Sequence, residues 1–114
     1  MPAASSLHVV EDLDNRSGWD VNLAHTALTY GLPLVMANHC GSRNRLDFWG
    51  GSRVLDAFGR ELARAGDAPG LAVATLALDD GRRARERLPT VRDADPEAVA
   101  AELGRFLAGR ERVP

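Results

Sequence analysis

Apolar positions recur at helical spacing near the start of the chain. Trp19, Leu23, Ala24, Ala27 and Leu28 share one face of a helix. Ser17 followed three residues later by Asp20 resembles a capping box with Asp in place of Glu, so the helix is predicted over 18–30. Gly31 supplies a left-handed stop, and Pro33 lies just beyond it. The run 32–37 is apolar without interruption and too short for a helix, which predicts a strand buried on both faces. Residues 41–47 are polar and read as a surface loop. A strand is predicted over 52–56, a tight turn over 57–59 ending in Gly59, and a returning strand over 60–64. A further turn at 67–70 leads to a strand over 71–78, with β-branched Val73 and Thr75 near its middle. Asp79 is placed to cap a short helix over 81–87 that Pro89 stops. Asp95-Pro96-Glu97 then supplies a cap, a proline at the first helical position and an early carboxylate, opening a last helix with a stripe of Val99, Leu103, Phe106 and Leu107. Residues 1–10 read as a loop with a short apolar burst at 7–10, followed by acidic residues over 11–14. The order of helix, strand, hairpin, strand, helix, helix predicts an α+β or α/β chain.

Composition narrows the range of functions. At 114 residues the chain holds one domain at most, and 45% hydrophobic with 26% charged residues is the balance of a soluble globular protein. A net charge of −2 offers no general attraction to nucleic acid or to an anionic membrane, so neither is expected as a partner. All fourteen basic residues are arginines, spread along the chain rather than clustered. One cysteine excludes an internal disulfide and suits a reducing compartment. With no signal-peptide pattern and no apolar run of membrane-spanning length, a cytoplasmic location is expected.

Three separated pieces carry more specific information. The first is a helix leading into an apolar strand that ends Ala37-Asn38-His39-Cys40-Gly41. The second is Phe48-Trp49-Gly50-Gly51-Ser52, continued by Arg53-Val54-Leu55-Asp56 and Gly59. The third is the arginine-rich tail from Ala84 through Leu88-Pro89 to Arg92-Asp93. In this order and spacing the chain resembles the C-terminal part of the nitrilase superfamily of carbon–nitrogen hydrolases, best over 19–93, with 94–114 as a C-terminal helix and tail. The resemblance implies a partial domain over 1–114, the C-terminal half of a four-layer α-β-β-α sandwich. It implies hydrolysis or acyl transfer at non-peptide C–N bonds of amides, carbamoyl compounds or nitriles. In that family a cysteine thiolate attacks the carbon, a glutamate moves protons and a lysine stabilises the oxyanion, with no metal or cofactor. The chain contains no lysine, and the family's catalytic residues precede the matched region, so no catalytic residue is carried over. The partners implied are a small amide or nitrile substrate in the complete enzyme and a missing N-terminal half or homologous subunit.

Among individual residues, Asn38 and Ser52 are the substrate-pocket candidates, because the family's loops after these strands approach the catalytic centre. Each has an alternative role in bonding nearby backbone. Cys40 beside His39 invites a nucleophile reading. Adjacent side chains on an extended segment face opposite ways, however, and no helix N-terminus is available to activate the thiol. Groupings of His39, Cys40 and Asp47, or of His8, Glu11 and Asp12, lack metal-ligand spacing, so no metal site is expected. His25 reads as a packing residue. Ser5 and Ser6 fall where the family has a pocket loop but match it poorly. Phe48 and Trp49 read as packing residues, Gly50 and Gly51 as a close backbone approach or bulge, and Arg82, Arg83, Arg85 and Arg87 as a solvated helix face. The resemblance also implies a subunit contact near Arg87 and Arg92. Such a chain alone is expected to lack hydrolase activity and to associate through unpaired strand edges.

Overall fold

The structure, a computed structural model, describes residues 3–4, 9–10 and 13–111. Its central element is α1 (Asn15–Tyr30), which begins at Asp14 and not at Ser17. The Asp14 carboxylate accepts from the Arg16 N–H at 3.1 Å and from the Ser17 hydroxyl at 2.6 Å. Ser17 thus supports a cap three residues earlier than its own spacing predicts, and Asp20 is released for another partner. Gly31 ends the helix in the left-handed region at φ 59°, returning its N–H to the Ala27 carbonyl.

The strand predicted over 32–37 forms as β4 (Leu34–Asn38), the centre of a small sheet. It pairs in parallel with the two-residue β1 (Ala3–Ala4) and antiparallel with β7 (Arg53–Leu55), which pairs in turn with β8 (Glu61–Arg64). The sheet order is β1-β4-β7-β8. Residues 3–4, expected in a loop, therefore serve as an edge strand against Ala37 and Asn38. Two further dipeptides, β2 (Val9–Val10) and β3 (Leu13–Asp14), pair antiparallel ahead of α1. Ser5, Ser6, His8, Glu11 and Asp12 lie outside the described residues.

The polar stretch 41–47 is not a loop. It belongs to a hairpin of β5 (Cys40–Arg43) and β6 (Leu46–Trp49), closed by Asn44 and Arg45, both at positive φ. Two consecutive left-handed residues match the twist of the flanking strands. Asn tolerates that geometry; for Arg45 it is imposed by the pairing on either side.

The core lies where α1 crosses one face of the sheet. Leu23 and Ala27 of the helix bury Met36, Leu55 and Trp49, with Trp19, Ala24 and Leu34 packed at the edge. The turn after β7 is held by the Asp56 carboxylate, which accepts from the Phe58 and Arg60 N–H groups at 2.8 and 3.0 Å. Strand alternation puts Val35 and Val54, paired across β4 and β7, on the opposite face. There Val35 is exposed while Val54 is buried.

The strand predicted over 71–78 does not form. Exposure alternates residue by residue from 71 to 77, with Leu71, Val73 and Thr75 exposed and Ala72, Ala74 and Leu76 half-buried, but the segment joins no ladder among the described residues. A strand needs a neighbour, and β8 ends the sheet without taking this segment as one. α2 (Asp79–Arg87) comes next, with Leu78 at its cap position. Asp79 sits in the first turn and is held by Arg82, so it complements the helix dipole instead of capping. α3 (Pro96–Glu111) starts as expected, with Asp95 accepting from the Ala98 N–H at 3.0 Å. Its apolar stripe, however, is exposed throughout.

Candidate functional site

The two pocket candidates meet at the mouth of the sheet, where β4 ends and β7 begins. The Ser52 hydroxyl accepts from the Asn38 N–H at 2.8 Å and donates to the Asn38 carbonyl at 3.3 Å. The Asn38 side-chain amide donates to the Gly50 carbonyl at 2.9 Å. Backbone bonds complete the knot: Gly50 N–H to His39 O, Gly51 N–H to Gly66 O and Ala65 N–H to Ser52 O, at 2.9, 3.2 and 2.7 Å. The residue types leave a pocket role and a backbone-bonding role open for both, and the backbone bonds are present. Ser52 also borders a gap of about 190 Å³ between the β4–β7 face and residues 70–72.

Gly50 and Gly51 both adopt positive φ, 65° and 68°. A β-carbon on Gly50 would lie 2.6 Å from the Gly66 carbonyl oxygen, and one on Gly51 would lie 2.7 Å from the Trp49 ring. Gly50 is therefore a close approach of backbone to backbone, whereas Gly51 leaves room for the Trp49 ring.

Behind this knot sits Arg53, only 2% exposed. Its Nε donates to the Gly51 carbonyl at 2.9 Å, and its Nη1 pairs with Asp20 from α1. Its guanidinium carbon lies 5.6 Å from the Trp49 ring centroid, and that of Arg16 lies 5.9 Å away. Both are within cation–π range of a ring that is itself buried. Among the described residues, Arg53 Nη2 and Trp49 Nε1 are buried without a hydrogen-bond acceptor. Sequence reasoning gives Arg53 no individual role. Its partner lies 33 residues away, and no local pattern links Asp20 to it.

Asp20 also reaches Arg64 at 3.4 Å, and Arg64 holds Glu61 at 2.7 Å. Desolvation pushes the Asp20 carboxyl upward, but the hydrogen bond and charge of Arg53, followed by Arg64, prevail and hold it below the usual carboxylate range. The Arg64 hydrogen bond holds Glu61 low, against desolvation. This network joins α1 to β7 and β8 and fixes the wall on which Ser52 sits.

The remaining reactive groups are dispersed. Cys40 is a free, half-buried thiol paired across the hairpin with Trp49, and the His39 ring stacks at a tilt on Phe48, 5.5 Å between centroids. Asp47 accepts from the Ser42 hydroxyl. His25 faces Thr29 on the exposed side of α1, not the core. Arg82 and Arg83 form the solvated face expected of them, paired with Asp79, Glu86 and Asp80. Arg85 departs from it, donating to the Gly31 carbonyl at 3.0 Å and so meeting the C-terminus of α1. Arg92 pairs with Asp93. A cleft of about 400 Å³ opens between α1 and α2, bordered by Thr29, Arg85, Leu88, Pro89 and Val91. Among the described residues no helix is long and apolar enough to cross a membrane.

The knot, the buried Arg53 and the glycine pair all fall within residues 16–86, which match the family model described as carbon-nitrogen hydrolase. The chain belongs to the carbon–nitrogen hydrolase family, within the nitrilase superfamily. It is 34% identical over 73 residues to the deaminated glutathione amidase of Escherichia coli O157:H7, covering 64% of this chain and 26% of that protein. The carbon–nitrogen hydrolase of Helicobacter pylori G27 superposes with a TM-score of 0.73 over 82% of this chain and 36% of its own, at 24% identity. A structure of the Nesterenkonia sp. AN1 amidase, with the acetamide moiety of fluoroacetamide added covalently at its active-site cysteine, superposes with a TM-score of 0.65 at 30% identity. That match covers 85% of this chain and 32% of the amidase. This hydrolase-family chain thus spans between about a quarter and just over a third of the length of these relatives, and α3 lies beyond the family match.

Proposed function

We propose that this chain is the C-terminal portion of a carbon–nitrogen hydrolase acting on a non-peptide C–N bond, amide before carbamoyl or nitrile. In that enzyme a cysteine thiolate would attack the carbonyl carbon, a glutamate would move the protons and a lysine would stabilise the oxyanion, all supplied from outside these residues. The observation that carries the reading is the family match over 16–86 in a chain without a single lysine. The cysteine adduct in the Nesterenkonia amidase and the amidase likeness of the E. coli relative support amide chemistry.

In this reading Asn38 and Ser52 form one wall of the substrate pocket. Their backbone bonds suit that role, because a pocket wall that is already satisfied needs no reorganisation when substrate arrives. α1 and the β4-β7-β8 sheet supply two layers of a four-layer sandwich. The opposite face of the sheet, with Val35 and the gap beside Ser52, would receive the other two.

The test is ammonia release from propionamide and other short amides by the purified 114-residue chain, alone and mixed with the Glu-, Lys- and Cys-bearing N-terminal portion of a relative. No turnover alone and turnover in the mixture is the expected result. Turnover by the chain alone that Cys40→Ser abolishes would show that the nucleophile is here and overturn the reading.

A second reading, a non-catalytic remnant that docks a partner through strand edges, is favoured by one observation. Segment 71–77 alternates in exposure as a strand does, yet has no ladder partner among the described residues.

A further inference from the structure

The cleft between α1 and α2 shares no lining residue with the gap beside Ser52. At about 400 Å³ it lies within the size range of small-ligand pockets. Its floor is apolar and open to water, with Leu88 and Val91 41% and 53% exposed on either side of half-buried Pro89. Hydrogen bonds hold that floor in place. The Thr90 hydroxyl donates to the Thr29 carbonyl of α1. The Leu88 and Asp93 N–H groups donate to the Ala84 and Pro89 carbonyls, each at 2.9 Å. Three guanidinium groups border the cleft, and two already have carboxylates, Arg82 with Asp79 and Glu86, Arg92 with Asp93. Arg85 has none. Its Nη1 donates to the neutral Gly31 carbonyl at 3.0 Å, and its Nε and Nη2 find no acceptor among the described residues.

We propose that this cleft binds a small carboxylate with an apolar tail, the acid pairing with Arg85 and the tail lying along Leu88, Pro89 and Val91. Nε and Nη2 form the side-on edge of the guanidinium, and two parallel N–H donors match the two oxygens of a carboxylate. The bond from Nη1 to Gly31 already restrains the arginine, so less side-chain freedom is lost on binding. The tail removes from water apolar carbon that is now exposed. Glu86, which also borders the cleft, is engaged by Arg82 and does not compete for Arg85. Asn38 and Ser52, the pocket wall of the hydrolase reading, take no part, so the site stands or falls independently of that reading.

Titration of the full chain with 3-phenylpropionate, followed by the NMR shifts of its backbone amides, reads the site directly. Saturable shifts centred on Thr29, Arg85 and Val91 are expected, with a Kd on the order of 1 mM for a ligand of this size. 3-Phenylpropionamide has the tail without the charge, and inorganic phosphate the charge without the tail. Each should bind at least roughly tenfold more weakly. Arg85→Met should weaken 3-phenylpropionate by a similar factor, and Arg85→Lys, which keeps the charge but loses the fork, by less. An amide that binds as tightly as the acid overturns the proposal without any variant. No saturable shift with 3-phenylpropionate does the same. Shifts centred on Asn38 and Ser52 would assign the ligand to the hydrolase pocket and remove it from this cleft. Shifts at Thr29 and Val91 that grow with protein concentration alone would give the cleft to a second copy of the chain, which equally defeats the proposal.

Discussion

Two apolar surfaces of similar composition meet opposite fates in this chain. The face of α1 carrying Leu23 and Ala27 disappears against Met36, Trp49 and Leu55, whereas the stripe of α3 carrying Val99, Leu103, Phe106 and Leu107 touches water along its whole length. Both have the period of an amphipathic helix. The difference lies in the segments next to them in the chain. α1 leads within a few residues into β4, so the strand and its hairpin partners return directly beneath the helix. α3 comes after the irregular stretch 88–95 beyond α2, and no sheet face lies under it among the described residues. Periodicity thus shows that a face is built for burial, and topology decides whether this chain supplies the cover.

The sharpest way to break the contrast is to truncate one aromatic from each surface. Trp49→Ala removes a ring that is 1% exposed and is expected to destabilise by about 3–5 kcal/mol, the range for emptying a core aromatic site. Phe106→Ala, on a side chain already in water, is expected to shift the monomer's stability by under about 0.5 kcal/mol. Urea unfolding of the two variants at low protein concentration measures both. A comparable loss in the two would mean that α3 packs on its own chain.

Next in size is the ion pair that fastens the packed region. Asp20→Asn leaves the Arg53 guanidinium buried without its counter-charge, a loss of about 3–5 kcal/mol where both partners are buried. Asp20 keeps a side chain 45% exposed, so solvent reduces the expected loss to roughly 1–2 kcal/mol. The folded-state pKa of Asp20 is depressed, so its contribution is present above the unfolded carboxylate value of about 3.9 and is lost as pH falls through the lower folded value. Acid unfolding of the parent chain should therefore steepen below about pH 4, and Asp20→Asn should flatten that part of the curve. An unchanged acid limb would remove Asp20 from the linkage.

The smallest effect belongs to the open helix and has the opposite sign. Apart from the helix's own backbone, nothing lies within 4 Å of where a β-carbon on Gly104 would sit, so Gly104→Ala is expected to stabilise α3 by about 0.5–1 kcal/mol. Thermal melts monitored by helical circular dichroism test it. At Gly50 the same change must displace the Gly66 carbonyl and occupy a positive φ, and it should destabilise.

Legibility in the sequence divides along the same line. α1, β4 and the turn at Gly59 are legible because each rests on local signals: apolar period, a glycine stop, a glycine-ended turn. The missing ladder for 71–78 is not, since alternation describes a strand's faces and says nothing about who pairs with its edge. The 40–49 hairpin escapes notice because its turn is Asn44-Arg45, without the glycine that marks such turns, although Asn at its first position is a usable cue. At the candidate site the Gly50-Gly51 approach and the family motif are visible in the residues. The buried Arg53 is hidden, because its solvation is replaced by a carboxylate on a helix far back in the sequence and by the face of Trp49.

The contact between Gly31 and Arg85 has a consequence for variation. A β-carbon at residue 31 would fall 2.6 Å from Cγ of Arg85, whose guanidinium donates to the Gly31 carbonyl. That β-carbon would also lie 3.2 Å from the backbone nitrogen of Arg85, and residue 31 sits at φ 59°. Shortening the arginine, 54 residues away, therefore does not open the position to a larger residue. Descendants of this chain should keep glycine at 31 even where the residue at 85 has changed.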